Sequence, residues 1–165
     1  MPKIKYKSKR KRKNDKHCLL EMENFLLLNI RSLRQNLEQL EVFLDELPTK
    51  PIAIVLTETR SSNDENHNPQ RIDFYRPIKT CSRDSKGGGV GIFVHEDAEV
   101  LETYRSSVRN VQIISLEIKF NKKTVILTAV YKSPNYPIDE FLNQLSDHIM
   151  NIKTNSNKKH CLWRF

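Results

Sequence analysis

The chain has 165 residues, 38% of them hydrophobic, three cysteines and a formal net charge of +8. That length suits one domain; no apolar run approaches a membrane span, and the charged N-terminus lacks the apolar segment of a secretory signal. Cys18, Cys81 and Cys161 are far apart and odd in number, which argues against a zinc site or a disulfide framework and predicts reduced thiols in a nuclear or cytoplasmic protein.

First along the chain is a basic tail. Residues 1–17 hold nine basic residues, running from Lys3 to Lys16, and one acid, Asp15, so the whole positive excess lies there and the remainder is neutral. With almost no apolar content, residues 1–21 are expected to be disordered. Three readings stand for the tail: a signal for a nuclear-import receptor, a loose arm on nucleic-acid phosphates, or a solvated charge run.

Phe25-Leu26-Leu27-Leu28 is a short apolar run that stops at Asn29 and reads as a buried strand. Ser32 and Gln35 have the spacing of a capping box. Leu33, Leu37, Leu40, Leu44 and Leu47 then share one helical face, and Pro48 and Pro51 close the helix. Ile52 to Leu56 is continuously apolar, as a strand covered on both faces would be. Asn63–Gln70 and Thr80–Lys86 read as polar loops, with a short strand beginning at Phe74-Tyr75 between them.

Gly87, Gly88, Gly89 and Gly91 lead into and through a strand, Val90 to Val94, and no Lys-Ser or Lys-Thr follows as a phosphate-cradling loop would need. The glycines are therefore read as positive-φ and close-approach positions. A strand is expected over Glu99–Thr103. Val111–Phe120 and Thr124–Val130 form a hairpin through Asn121-Lys122-Lys123. After a Ser133-Pro134-Asn135 turn, Phe141, Leu142, Leu145, Ile149 and Ile152 mark an amphipathic helix. Ser146-Asp147-His148 looks like an acid–base cluster, but it falls inside that helix and reads as one exposed turn of it. The histidines show no ligand spacing. Few helical crossovers among many strands predict an α/β (α+β) fold with a mixed, largely antiparallel sheet.

Asn29 ends the first strand and Glu58 lies just past the second. Were those strands neighbours, both side chains would emerge at one rim, where a carboxylate and an amide oxygen suit Mg²⁺. The ordinary reading, polar residues where strands give way to loops, stands beside it. Tyr131, after the last strand, is either a half-buried aromatic or a phosphate-bonding phenol.

In order, Leu28-Asn29-Ile30-Arg31-Ser32-Leu33, Leu56-Thr57-Glu58-Thr59, Gly87-Gly88-Gly89-Val90-Gly91-Ile92 and Ala129-Val130-Tyr131-Lys132-Ser133-Pro134-Asn135 resemble the endonuclease/exonuclease/phosphatase superfamily. The likeness is to apurinic-endonuclease-like domains of non-LTR retrotransposon polyproteins and covers about residues 22–152. It implies a four-layer sandwich of two mixed β-sheets with outer helices, here incomplete. It also implies Mg²⁺-dependent hydrolysis of a DNA phosphodiester, the nick priming reverse transcription. Asn29 and Glu58 match the family's metal-site amide and acid, and Tyr131 its phosphate-contacting tyrosine. The family's later Gly-Asp-Phe-Asn, Asp and terminal Ser-Asp-His motifs have no counterpart in order, so residues 22–154 are expected to be a partial, inactive domain. Two other functions remain open: a non-catalytic nucleic-acid-binding protein acting through the tail, and a phosphatase fragment of the same superfamily.

Residues 155–165 are expected to be an aberrant end. If His160 to Phe165 and a stop are encoded CAT TGT TTG TGG CGA TTT TAA, reading one base later yields Ile-Val-Cys-Gly-Asp-Phe, the start of the expected motif. A frameshift, a splice and a gene-model artefact all remain as explanations.

Overall fold

The computed structural model describes residues 24–61, 71–79, 88–108 and 110–155. The basic tail, both polar loops, the three cysteines and positions 156–165 lie outside them. Two sheets and two helices form in the order β1 (Phe25–Asn29), α1 (Leu33–Glu46), β2 (Ala53–Thr57), β3 (Tyr75–Lys79), β4 (Val90–His95), β5 (Glu99–Val108), β6 (Val111–Phe120), β7 (Lys123–Lys132) and α2 (Ile138–Asn155).

One sheet has the strand order β1-β2-β4-β3, the other β5-β6-β7. Among the described residues only β1 and β2 pair in parallel, with α1 as their crossover; the other pairings are antiparallel. The fold is thus α/β with one mixed and one antiparallel sheet. The period of two along each strand divides the core. Val55, Val90, Ile92 and Val94 meet Ile114, Leu116 and Ile118 between the sheets. On the outer face of the first sheet, Ile54, Leu56 and Phe93 meet Leu33, Leu40 and Leu44 of α1. The second sheet turns Val111 and Ile113 outward to α2, with Phe141 and Leu145 against them. Burying one such aliphatic side chain is worth about 1.5–3 kcal/mol. Among the described residues no helix is long and apolar enough to cross a membrane.

The β6–β7 hairpin turns through Asn121 and Lys122, both at positive φ (43° and 64°), the conformation a tight two-residue turn needs.

Four expectations are corrected. β1 is not fully buried: it forms a sheet edge, and Phe25 and Leu27 are 43% and 69% exposed. Ser32 heads α1 but its side chain makes no cap bond. The backbone supplies the tie instead: Ser32 N–H donates to Glu58 C=O (2.8 Å) and Leu33 N–H to Thr59 C=O (3.0 Å). The Asn36 amide, at a kink in α1, donates to the carbonyls of Ile30 and Ser32. Third, β5 continues to Val108, because ten-residue β6 offers it a partner along its whole length.

Fourth, Ser146-Asp147-His148 is not wholly exposed. Ser146 and Asp147 are, but His148 is 6% exposed. Phe141, Leu145, His148 and Ile152 are spaced four, three and four apart, so His148 takes a place on the buried stripe, whereas Leu142 faces out. Its Nε2 lies 2.9 Å from Ser115 Oγ, which in turn is 2.8 Å from Thr128 Oγ1. This polar network sits beneath α2, on the sheet face turned away from the other sheet.

Candidate functional site

Parallel pairing of β1 with β2 sets Asn29 opposite Thr57, the residue before Glu58. Asn29 and Glu58 therefore leave the same end of the first sheet, Asn29 exposed and Glu58 half-buried. Backbone bonds continue past the strands: Ile30 N–H donates to Thr57 C=O at 3.0 Å, followed by the two bonds from Ser32 and Leu33. The loops carrying the two residues are thus laced together. Asn29 Oδ1 accepts a bond from Arg31 N–H at 3.2 Å, which turns the amide oxygen back over its own loop.

Backbone strain is concentrated here. Arg31 (φ 48°), Ser32 (101°), Glu58 (54°) and Arg60 (51°) all lie at positive φ. For side chains of this kind the conformation costs about 1–2 kcal/mol per residue, and strain held by surrounding structure clusters at functional sites.

Gly88 and Gly89, at φ 84° and 94°, lie against the Glu58 loop. Gly89 C=O accepts from Thr59 N–H (3.2 Å) and Gly88 C=O from Arg60 N–H (3.0 Å). A Cβ on Gly89 would overlap Thr59 Oγ1, so the glycine permits this close approach, as expected from sequence. Thr59 Oγ1 and Ser61 Oγ are buried and have no hydrogen-bond partner among the described residues.

The second sheet brings Tyr131 to the same end. Tyr131 pairs with Gln112 across β6–β7 and continues the inward-facing row that holds Ala129 and Leu127. Its phenol is half-buried, and burial raises its pKa; the Glu58 carboxylate raises it further and the Arg60 guanidinium opposes this. Gln112, which sequence reading passed over, is buried, and its Oε1 accepts from Gly89 N–H at 2.8 Å.

Asn29, Glu58 and Tyr131 are thus all at one end of the two packed sheets, with Arg60, Gln112 and the Gly88-Gly89 turn at that same end. Glu58 is a hard, anionic oxygen donor and Asn29 a neutral one, the donor chemistry Mg²⁺ takes. Among the described residues no group of three His, Cys, Asp or Glu side chains is placed to hold a metal.

No protein-family model matches the chain, and no curated protein sequence does. Solved structures do. The AP endonuclease LMAP from Leishmania major is 15% identical, with a TM-score of 0.60 over 82% of this chain and 50% of its own. TDP2 from D. rerio, solved with a single-stranded DNA product, is 14% identical, with a TM-score of 0.56 over 83% of this chain and 56% of its own. The 3'-5' exonuclease NExo from Neisseria meningitidis is 17% identical, with a TM-score of 0.54 over 79% and 53%. The chain spans about half the length of these structures. At such identities the likeness establishes the fold alone, an α/β arrangement of two sheets with two helices like that of these structures.

Proposed function

We propose that this chain carries part of the metal site of a DNA endonuclease of the kind found in non-LTR retrotransposon polyproteins, and that these 165 residues alone do not cut DNA. The observation that carries this reading is the parallel β1–β2 pairing, which brings Asn29 and Glu58 to one rim with Tyr131 across from them. Likeness in fold to an AP endonuclease and an exonuclease supports phosphodiester chemistry.

Glu58 and Asn29 would hold the cation, Glu58 through charge and Asn29 through its amide oxygen. A bound Mg²⁺ would polarise the phosphoryl oxygen and stabilise the leaving oxyanion. The Tyr131 phenol, whose pKa is raised first by burial and then by the Glu58 carboxylate, would donate its O–H to a phosphate oxygen. Arg60 adds positive charge beside that oxygen. One carboxylate and one amide are too few ligands to retain Mg²⁺ firmly. The sequence also lacks motifs matching the water-orienting Asp and the transition-state His that the resemblance implies.

Two measurements test this reading. Tb³⁺, an oxygen-seeking cation excited through tyrosine, should luminesce with the intact chain and lose that signal in Glu58→Gln. Supercoiled plasmid with Mg²⁺ should stay unnicked. A Tb³⁺ signal indifferent to Glu58→Gln would remove the metal site, and nicking abolished by Glu58→Ala would overturn the inactivity.

A second reading rests on a separate observation, the nine basic residues within positions 1–17 of an otherwise neutral chain. The Lys3–Lys16 tail would hold nucleic-acid phosphates or an import receptor, independently of the rim. DNA binding that weakens steeply with salt and vanishes on deleting residues 1–17 is the expected result; binding unchanged by the deletion would eliminate it.

A further inference from the structure

The inward row of β6 reads Gln112, Ile114, Leu116, Ile118. Three members are fully buried aliphatics in the inter-sheet core, and the fourth is an amide, 4% exposed. A buried amide without a partner costs about 1–3 kcal/mol, so its place in this row calls for a specific partner. That partner belongs to the opposite sheet: Gln112 Oε1 accepts the buried Gly89 N–H at 2.8 Å. From Gly89 the chain of bonds runs onward, since the Gly89 and Gly88 carbonyls receive the amides of Thr59 and Arg60, the two residues that directly follow Glu58 in its strained loop. In the other direction Gln112 is the cross-strand partner of Tyr131.

We propose that Gln112 is a positioning residue: a strut between the two sheets that holds the Gly88-Gly89 turn, and through it Glu58, in register with Tyr131. This rests on the reading of Glu58 and Tyr131 as one site. The mechanics follow from the geometry. Each sheet is rigid along its own ladders, but side-chain packing between sheets tolerates sliding. A directional bond from the inner face of one sheet to a backbone N–H at the end of the other fixes the spacing where the acid and the phenol must act together. Gly89 N–H precedes β4, so no ladder bond with β2 or β3 would replace it.

Amide exchange and Tb³⁺ luminescence on the full chain test the proposal. In the unaltered chain the Gly89 amide should exchange as slowly as ladder amides of β4. Fast exchange there overturns the proposal by itself, whether or not any variant folds. Gln112→Met keeps the volume and removes the acceptor. It should speed exchange at Gly89, Thr59 and Arg60 about ten-fold, the loss of one hydrogen bond, while Leu116 and Ile118 stay protected; Tb³⁺ affinity should fall by a similar factor. Gln112→Glu retains an acceptor oxygen and should restore slow exchange at the three amides. Uniform acceleration along β6 would mean mere core damage and would count against the strut, as would unchanged exchange in Gln112→Met. Failure of the underlying site is distinguishable: Tb³⁺ binding would then ignore Glu58→Gln, whatever the exchange shows.

Discussion

Glu58 occupies a left-handed backbone conformation, φ 54°, that its side chain does nothing to favour. Asn tolerates that region far better than Glu, because its short amide bonds locally to the backbone. Glu58→Asn should therefore stabilise the chain, by about 0.5–1 kcal/mol, while abolishing the Tb³⁺ response. Urea unfolding measures the first and luminescence the second; a less stable Glu58→Asn would show that the native side chain contributes more than its backbone costs. That Asn29, Glu58 and Tyr131 stand at or just past the ends of apolar runs is legible in sequence; that they share one end of the fold follows from the strand pairing. The strain was not legible: nothing about Arg31, Glu58 or Arg60 as residue types announces positive φ, whereas Gly88 and Gly89 do. Gln112 carried a fainter signal, an amide in a row of aliphatics, but its partner lies 23 residues away in the other sheet and only tertiary structure supplies it.

Periodic elements are legible in sequence, and the structure departs from the pattern where a polar residue takes an apolar place or the backbone replaces a side chain. The leucine stripe of α1 packs as its spacing implied, yet its start depends on the carbonyls of Glu58 and Thr59 rather than on a Ser32 cap. In α2 the residue type misled, since His148 reads as polar and outward but lies on the buried stripe. Burial lowers its pKa from the ordinary 6.5, which favours the neutral imidazole beside Ser115 Oγ. The consequence has a definite sign. As pH falls below about 6.5 the unfolded chain takes up the proton before the folded one, so stability held above that pH is lost on acidification, down to the depressed folded value. His95, also lowered chiefly by burial, with Asp97 and Glu96 opposing, contributes in the same direction. His148→Gln retains an amide to meet Ser115 Oγ and removes one of the two titrations. Its denaturation midpoint should fall less than the wild type's between about pH 7.5 and pH 5; equal falls would mean that the buried imidazole does not drive the acid sensitivity.

On the scale of the molecule, the two sheets do not cover each other equally. Residues 25, 27 and 29 share a face of β1 with Ala53 and Val55 of β2, which lie in the inter-sheet core. Ala53 and Val55 are buried by the second sheet, but Phe25 and Leu27 remain exposed, and among the described residues the outer edge of β1 pairs with no strand. This explains why a run as apolar as Phe25-Leu26-Leu27-Leu28 suggested full burial: the composition is that of a strand covered on both faces, and the described residues cover only one. Among the described residues this open, apolar, five-residue edge carries no charged side chain before Asn29, no proline and no covering element to protect it. The chain should therefore self-associate through β1 at micromolar concentration. Leu27→Lys places a charge at the most exposed apolar position of that edge, where little packing is lost, so the fold should lose under about 0.5 kcal/mol. Sedimentation velocity should find it mainly monomeric where the wild type is not. If the lysine variant associates as strongly, the sticky surface lies elsewhere, and the uncovered half of the β1 face is not what limits this chain's solubility.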